Sequence, residues 1–176
     1  MRPRILQTMT RRLTQIRKHK MIQLIGQHTL QALSAEAKTN PRLRKNLNFH
    51  ANNEAQCHRL LNALEPGTYV QPHCHLTPEK EESLVVLSGS IGLLIFDQHG
   101  GITQKVRLAP GTENFGVTIP VGIFHSMVAL QADSVFFEAK AGPYVAISDA
   151  ERGSWAPAEG DDACADYLNF MLQQFA

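Results

Sequence analysis

A regular series of short apolar segments and turn residues occupies the middle of the chain, from about residue 57 to residue 140. The segments have the length and composition of strands and lie around 57–64, 68–75, 82–88, 91–96, 104–108, 116–119, 123–130 and 134–140. Gly, Pro and Asp occupy the intervals between them and supply the turns. No helical pattern interrupts the series, so the sequence disfavours a parallel α/β sheet and predicts an all-β sandwich or barrel.

Helical patterns lie on both sides of this region. Over residues 22–37 apolar side chains recur at a loose helical spacing, and Pro41 follows the expected end of the helix. Over residues 164–175 apolar side chains recur at three- and four-residue steps. This second pattern predicts an amphipathic C-terminal helix started by Asp161 or Asp162.

The beginning of the chain differs from the rest in charge. Seven Lys or Arg residues precede the first acidic residue, Glu36. Such a start is typical of a transit peptide or a basic arm. We interpret residues 1–20 instead as a dispensable extension or a miscalled start, because Met21 opens a segment that suits the beginning of a fold. Residues 21–176 are then expected to form a single domain, for which the length is ordinary.

Composition narrows the class of protein. Apolar residues make up 43% of the chain and charged residues 19%, with a formal net charge of +1, as in ordinary globular proteins. The three cysteines, Cys57, Cys74 and Cys164, form no Cys-x-x-Cys pair. We expect a cytoplasmic protein with neither a nucleic-acid nor a membrane partner. The oligomeric state is left open between a monomer and a homodimer.

Two histidines stand two residues apart in the expected strand 68–75. His73 and His75 should therefore project from the same face, while Cys74 should point away from it. A carboxylate and a third imidazole can complete a site for one divalent metal ion, and Glu82 and His125 are the candidates. Neutral imidazole suits zinc, iron, copper and nickel, and carboxylate also accepts manganese.

A second polar pattern precedes the barrel. Polar residues share one strand parity and apolar residues the other: the polar set is Arg42, Arg44, Asn46, Asn48 and His50, and the apolar set is Leu43, Leu47 and Phe49. The polar face can be a solvated edge strand. Alternatively it closes one mouth of the barrel, where Arg44, Asn46, Asn48 and His50 would bind a small polar or anionic ligand.

Other polar residues have strand parities that place them near the expected site. Tyr69 and Gln71 share parity with His73 and are expected to line the same cavity and bind the ligand, although Tyr69 can also serve in packing. Glu138 and Lys140 share a face of the last strand, where either an ion pair at the rim or a catalytic role is open. The remaining histidines outside the polar face are expected on the surface: His19, His28, His58 and His99.

These spacings resemble the two motifs of the cupin family. Gly67, His73 and His75 match the first motif, and its Glu and final Gly fall on Glu82 and Gly89, whereas Glu79 and Glu81 lack the spacing to Gly89. The interval from His75 to Glu82 is longer than usual. Pro120, Gly122 and His125 match the second motif, but the usual Gly before it is Asn114 and the usual Asn after it is Ala129. The resemblance implies a double-stranded β-helix, the cupin jelly roll, holding one metal through His73, His75, Glu82 and His125.

A narrower resemblance extends over nearly all of the chain after Met21. Residues 34–37, 41–50, 61–69, 136–140 and 155–160 look like the WbuC-type cupin metalloproteins, which are associated with bacterial O-antigen and polysaccharide gene clusters. This resemblance implies a sugar-related role but no particular reaction. The leading hypothesis is a metal-dependent isomerase or epimerase of a sugar nucleotide or sugar phosphate. An iron-dependent dioxygenase and a non-catalytic, metal-dependent binding protein are the alternatives.

Overall fold

The structure is a computed structural model that describes residues 22–176, so the expected extension at residues 1–20 lies outside the described residues. The elements, in chain order, are α1 (Gln27–Thr39), β1 (Arg44–Asn48), β2 (Cys57–Leu64), β3 (Glu82–Ser88), β4 (Ile91–Phe96), β5 (Ile102–Leu108), β6 (Gly116–Ile119), β7 (Phe124–Ala129), β8 (Ser134–Ala141), a 3-10 turn (Asp149–Glu151) and α2 (Cys164–Gln173). None of the helices within residues 22–176 is long and apolar enough to cross a membrane.

The strands form two antiparallel sheets. One has the order β1-β2-β8-β3-β6 and the other β5-β4-β7. The chain passes from the first sheet to the second after β3, returns for β6, leaves for β7 and returns again for β8. This alternation is the double-stranded β-helix of a cupin jelly roll, and it confirms the predicted all-β fold class with short flanking helices.

Apolar side chains fill the space between the two sheets, and others form two smaller clusters outside the sheets. The central cluster consists of Leu64, Leu84, Val86, Ile91, Leu93, Leu108, Ile119, Met127, Ala129 and Phe136. Helix α1 covers the outer face of the five-stranded sheet, with Leu30 and Leu33 against Leu61. Helix α2 covers the other sheet, with Met171 against Leu94. Each fully buried aliphatic side chain stabilises the fold by about 1.5–3 kcal/mol, so the barrel has a substantial apolar core of its own.

Two of the motif glycines have a clear structural reason. Gly89, between β3 and β4, has a φ of +70°, and a Cβ there would collide with Ser134. Gly122, before β7, has a φ of +82°, and its N–H donates to the carbonyl of His75 at 2.8 Å. The second motif is therefore tied directly to the segment that carries the first two histidines.

The expected strand at 68–75 is wrong. His73 makes only isolated bridges, to His125 and to Arg152. The neighbouring main chain finds partners in the coil after the barrel: the Cys74 N–H donates to the carbonyl of Glu151, and the Gly153 N–H donates to that of Pro72. Because these partners belong to different segments, no continuous ladder forms.

The helix boundaries also differ from expectation. Helix α1 begins at Gln27 rather than near residue 22 and ends at Thr39, before Pro41. Helix α2 has Ala163 at its N-cap, without a side-chain cap. The Asp161 carboxylate accepts instead from the N–H of Ala158, so it stabilises the preceding turn.

Candidate metal centre

Two histidines of the site are held together by their own main chains. The N–H of His73 donates to the carbonyl of His125 at 3.0 Å, and the N–H of His125 donates to the carbonyl of His73 at 2.8 Å. His125 lies on β7 of the three-stranded sheet, whereas Glu82 opens β3 of the five-stranded sheet. The candidate ligands therefore come from both sheets.

Contacts of the Nδ1 atoms fix the orientation of the His73 and His125 rings. His73 Nδ1 lies 3.0 Å from the carbonyl oxygen of Gln71, and His125 Nδ1 lies 2.9 Å from that of Ile123. A carbonyl can only accept, so in each neutral ring Nδ1 carries the proton and Nε2 keeps its lone pair. Burial, together with the nearby His125, lowers the pKa of His73 to about 3, which keeps its ring neutral at neutral pH. This tautomer is the one that binds a metal through Nε2.

Glu82 is a buried carboxylate surrounded by nitrogen atoms. Its Oε1 lies 2.8 Å from His75 Nε2 and 2.5 Å from Lys140 Nζ, and its Oε2 lies 3.3 Å from His125 Nε2. Burial alone would raise the pKa of Glu82, but the His75 imidazole and the Lys140 ammonium, both in contact with Oε1, outweigh it and lower the pKa far below its usual range. Glu82 is therefore an ionised oxygen donor facing the imidazoles.

Two observations indicate that these residues fit a metal ion. One ligand atom each from His73, Glu82 and His125 lies within 4.8 Å of the others. In addition, His125 Nε2 is buried without a hydrogen bond, because its approach to Glu82 Oε2 has the distance of a contact but not the geometry of a bond. Buried polar atoms are normally satisfied, and a cation would satisfy this one. Two imidazoles and one carboxylate are ordinary ligands for zinc, iron, manganese or nickel.

The fourth expected ligand lies beside this group. His75 is buried, and its Nε2 is directed at Glu82 Oε1 rather than sharing the tightest cluster. The ring centroids of His75 and His73 are 5.3 Å apart. His75 is thus close enough to serve as a fourth donor, and that role stays a prediction. Cys74, which was expected to point away, is buried and is not part of the three-residue cluster.

A row of polar side chains continues from Glu82 across the inner face of the five-stranded sheet. Lys140 pairs with Glu82 in the β3–β8 register, and Lys140 Nζ also lies 2.7 Å from Glu138 Oε1. The amide of Asn62 on β2 donates to Glu138 Oε2 at 2.7 Å. Burial would lower the pKa of Lys140, but Glu138 and Glu82 outweigh it and raise the pKa well above its usual value. We call the side chains of Glu82, Lys140, Glu138 and Asn62 the polar row.

The expected ligand-binding face on β1 lies at the end of this row. Asn46 pairs with Asn62 in the β1–β2 register, so Arg44, Asn46 and Asn48 face the same side of the sheet as the polar row. A pocket of about 290 Å³ lies there, lined by Asn40, Arg42, Arg44, Lys45, Asn46, Asn62, Ala63 and Leu64. The structure therefore places Arg44 and Asn46, but not Asn48, in the lining of this opening, and the role of all three in binding stays a prediction.

Arg44 is already occupied by other groups of the protein. Its Nη2 lies 2.5 Å from Glu159 Oε1, and its Nη1 donates to the carbonyl of Tyr69 at 2.6 Å. Glu159 also binds Arg42 with both carboxylate oxygens, at 2.8 Å each. A ligand anion at this position would compete with an existing carboxylate.

Three expectations for the site are corrected by the structure. His50 does not continue the polar face: it is buried and stacks on His58, with ring centroids 4.0 Å apart. His58, expected on the surface, is buried in the same stack. Tyr69 packs in the cluster beneath α2, and its hydroxyl donates to the carbonyl of Pro157 at 2.8 Å. Parity failed for Tyr69 because its segment is not a strand.

Gln71 contributes through its main chain. Its carbonyl accepts from His73 Nδ1, and its side chain is half-buried.

The sequence left the role of Glu138 and Lys140 open between an ion pair and a catalytic function, and the ion pair is present. The sequence did not reveal that the Glu138 and Lys140 side chains contact those of Asn62 and Glu82. Only the pairing register of β8 with β3 and β2 brings those side chains into one row, and no local pattern encodes that register.

A family model described as "Domain of unknown function (DUF6016)" matches residues 25–108, which include His73, His75 and Glu82 but not His125. No curated protein matches the chain.

Several solved structures are similar to the chain. KdgF from Halomonas sp. is 18% identical, with a TM-score of 0.47 over 61% of this chain and 85% of that one. A conserved protein of unknown function from Streptococcus pyogenes, SPY1581, is 15% identical, with a TM-score of 0.49 over 72% and 92% of the two chains. Oxalate decarboxylase from Bacillus subtilis is 18% identical, with a TM-score of 0.44 over 61% of this chain and 26% of that one.

Proposed function

We propose that the chain is a mononuclear metal-dependent cupin that acts as an isomerase or epimerase on a sugar phosphate or sugar nucleotide. The observation that carries the metal site is the pair of Nδ1 contacts to backbone carbonyls, which leave the Nε2 atoms of His73 and His125 facing Glu82. His75 is proposed as the fourth donor because it already contacts Glu82. Zinc, iron, manganese and nickel all suit this set of donors.

The polar row supports a hydroxyl-bearing ligand. The central cluster between the sheets consists of apolar side chains, yet Glu138 and Asn62 lie on the same inner face as Glu82. Carboxylate and amide groups hydrogen-bond hydroxyls well, and Glu138 Oε1, which is buried without a hydrogen bond, has capacity for such a bond beside the one that Glu138 Oε2 accepts from Asn62. The WbuC-type resemblance, with its link to polysaccharide gene clusters, supports a sugar derivative.

An isomerisation moves a proton between neighbouring carbons while a carbonyl oxygen gains negative charge. A bound divalent ion supplies the Lewis acid that polarises this oxygen. The chain must supply the group that carries the proton, and Glu138 is our candidate. It is buried, and its Oε1 has no well-formed hydrogen bond although Lys140 Nζ is 2.7 Å away, so this oxygen can accept a proton from a ligand carbon and return it.

The test is exchange of substrate hydrogen with solvent. Metal-loaded protein would be incubated in D₂O with a panel of sugar phosphates and sugar nucleotides, and deuterium incorporation followed by NMR. We expect incorporation next to a carbonyl for at least one member, and its loss in Glu138→Gln with metal content unchanged. Glu113→Gln, at an exposed position far along the sequence, is the control. Oxygen-dependent consumption of ligand with iron alone, without exchange, would contradict the isomerase and favour the dioxygenase.

A further inference from the structure

Lys140 is the most accessible charged group of the polar row. Its side chain is 20% exposed, whereas the side chains of Glu82 and Glu138, which hold its ammonium, are 4% and 9% exposed. The two carboxylates fix Nζ in place by contacts of 2.5 and 2.7 Å. An ammonium has three N–H donors, and of the two contacts only the one to Glu82 Oε1 has hydrogen-bond geometry, so donor capacity remains for a further partner.

The position of Lys140 relative to Glu82 matters for any ligand of the metal. Nζ contacts the same carboxylate that is proposed to bind the ion. A ligand oxygen that shared the ion with Glu82 would therefore be positioned near the same ammonium. Arg44, the guanidinium that the sequence suggested for this purpose, is instead taken up by Glu159 and the carbonyl of Tyr69.

The charges of the site also favour an anionic ligand. Glu82 and Glu138 are negative, Lys140 is positive, and a divalent cation would leave this buried group with one net positive charge. Burying an uncompensated charge is unfavourable, and a bound anion would remove it. Without the Lys140 charge the same group would already be neutral.

We propose that Lys140 is the anion-selecting residue of the site: its ammonium, held by Glu82, binds a carboxylate or phosphate oxygen of a ligand that also contacts the metal. This inference rests on the proposed metal site and narrows its ligands to anions. A purely structural Lys140, present only to neutralise two carboxylates, would show no preference for anions over neutral metal ligands.

The experiment compares anionic and neutral probes on cobalt-loaded protein, followed by the visible absorption of Co²⁺. The probes are inorganic phosphate, acetate and neutral imidazole. Replacing Lys140 alone would strand Glu138, so the test variant is the double substitution Lys140→Met with Glu138→Gln, which keeps the volume and removes both charges. Glu138→Gln alone retains the ammonium and is the matched control. Lys140→Arg tests rescue by a second cation.

We expect the double variant to bind phosphate or acetate about ten-fold or more weakly than Glu138→Gln does, a difference of ~1.4 kcal/mol. Imidazole should bind all four proteins alike, and Lys140→Arg should retain most of the anion affinity. If phosphate binds and acetate does not, the ligand group is a phosphate, and the reverse identifies a carboxylate.

Equal anion affinity in the double variant and Glu138→Gln would overturn the inference, and so would a parallel loss of imidazole or of cobalt in the double variant. Failure of both anions to bind the cobalt-loaded wild type would also overturn it while leaving the metal site intact. A wild type that takes up no cobalt would instead reject the proposed metal site, on which the inference depends.

Discussion

The main chains of His73 and His125 hydrogen-bond to each other in both directions, at 3.0 and 2.8 Å. These residues are far apart in the sequence, and each ring is oriented by a backbone carbonyl two residues before it. The geometry of the two imidazoles is therefore set by the backbone of the barrel.

The first prediction follows from this backbone support. His125→Ala is expected to lose bound metal while the protein stays folded, because the apolar side chains between the sheets supply the core. Elemental analysis and circular dichroism would measure the two properties. His28→Ala, at an exposed position of α1, should change neither. Full metal occupancy in His125→Ala would reject the site.

The second prediction separates Glu82 from its acidic neighbours. Glu82→Gln should reduce metal retention strongly, because Glu82 is the buried carboxylate that faces the imidazoles. Glu79 and Glu81 are exposed, so Glu79→Gln and Glu81→Gln should retain metal as the wild type does. Competition with a chelating dye would give the relative affinities. A greater loss in Glu79→Gln would show that the motif register is wrong.

The third prediction concerns Tyr69, which the structure places beneath α2. Tyr69→Phe removes the hydrogen bond to the carbonyl of Pro157, and its free energy of unfolding should fall by about 0.5–1.5 kcal/mol. Metal content and ligand binding should not change. Chemical denaturation would measure the stability, with the exposed Tyr144→Phe as the control. A loss of ligand affinity without a loss of stability would show that Tyr69 lines the cavity after all.

The fourth prediction concerns pH and Glu151. Its carboxylate accepts hydrogen bonds from the N–H groups of Leu76 and Ser148 and from the Ser148 hydroxyl, which lower its pKa to about 2. A lowered pKa stabilises the fold fully above the unfolded-state pKa of about 4.3, and this stabilisation is lost as the pH falls through about 2.

Glu151→Gln should therefore be less stable than the wild type at pH 7, by roughly 1–3 kcal/mol, and the difference should shrink below about pH 4. Urea unfolding at several pH values would measure it, and the exposed Glu113→Gln is the control. A difference that does not depend on pH would mean that the ionised form of Glu151 makes no special contribution.

Local patterns in the sequence predicted most of the fold. Strands such as Glu82–Ser88 and Ile91–Phe96 carry β-branched and aliphatic residues between turn signals, so their boundaries could be read directly. The segment around His73 could not, because its main chain bonds to two distant segments, residues 122–125 and 151–153, instead of forming one ladder. The predicted N-cap of α2 was wrong for a similar reason, since Asp161 instead accepts a hydrogen bond from the N–H of Ala158.

The site was predictable to the extent that motif spacing encodes it. His73, Glu82 and His125 could be named from spacing, but the neighbours that tune them could not. Lys140 meets Glu82 because β8 pairs with β3, and Asn62 meets Glu138 because β8 also pairs with β2. Strand register over such sequence separations depends on tertiary packing, which also explains why His58 is buried.

The metal content of the purified protein, together with the position of the ion, is the direct test of the proposed metal site. Elemental analysis would give the stoichiometry, and anomalous diffraction at the absorption edge of the metal found would locate it. We predict about one zinc, iron, manganese or nickel ion per chain, bound by Nε2 of His73, Nε2 of His125 and a carboxylate oxygen of Glu82. Protein that remains free of metal after exposure to all four ions, or an ion bound elsewhere, would contradict the account.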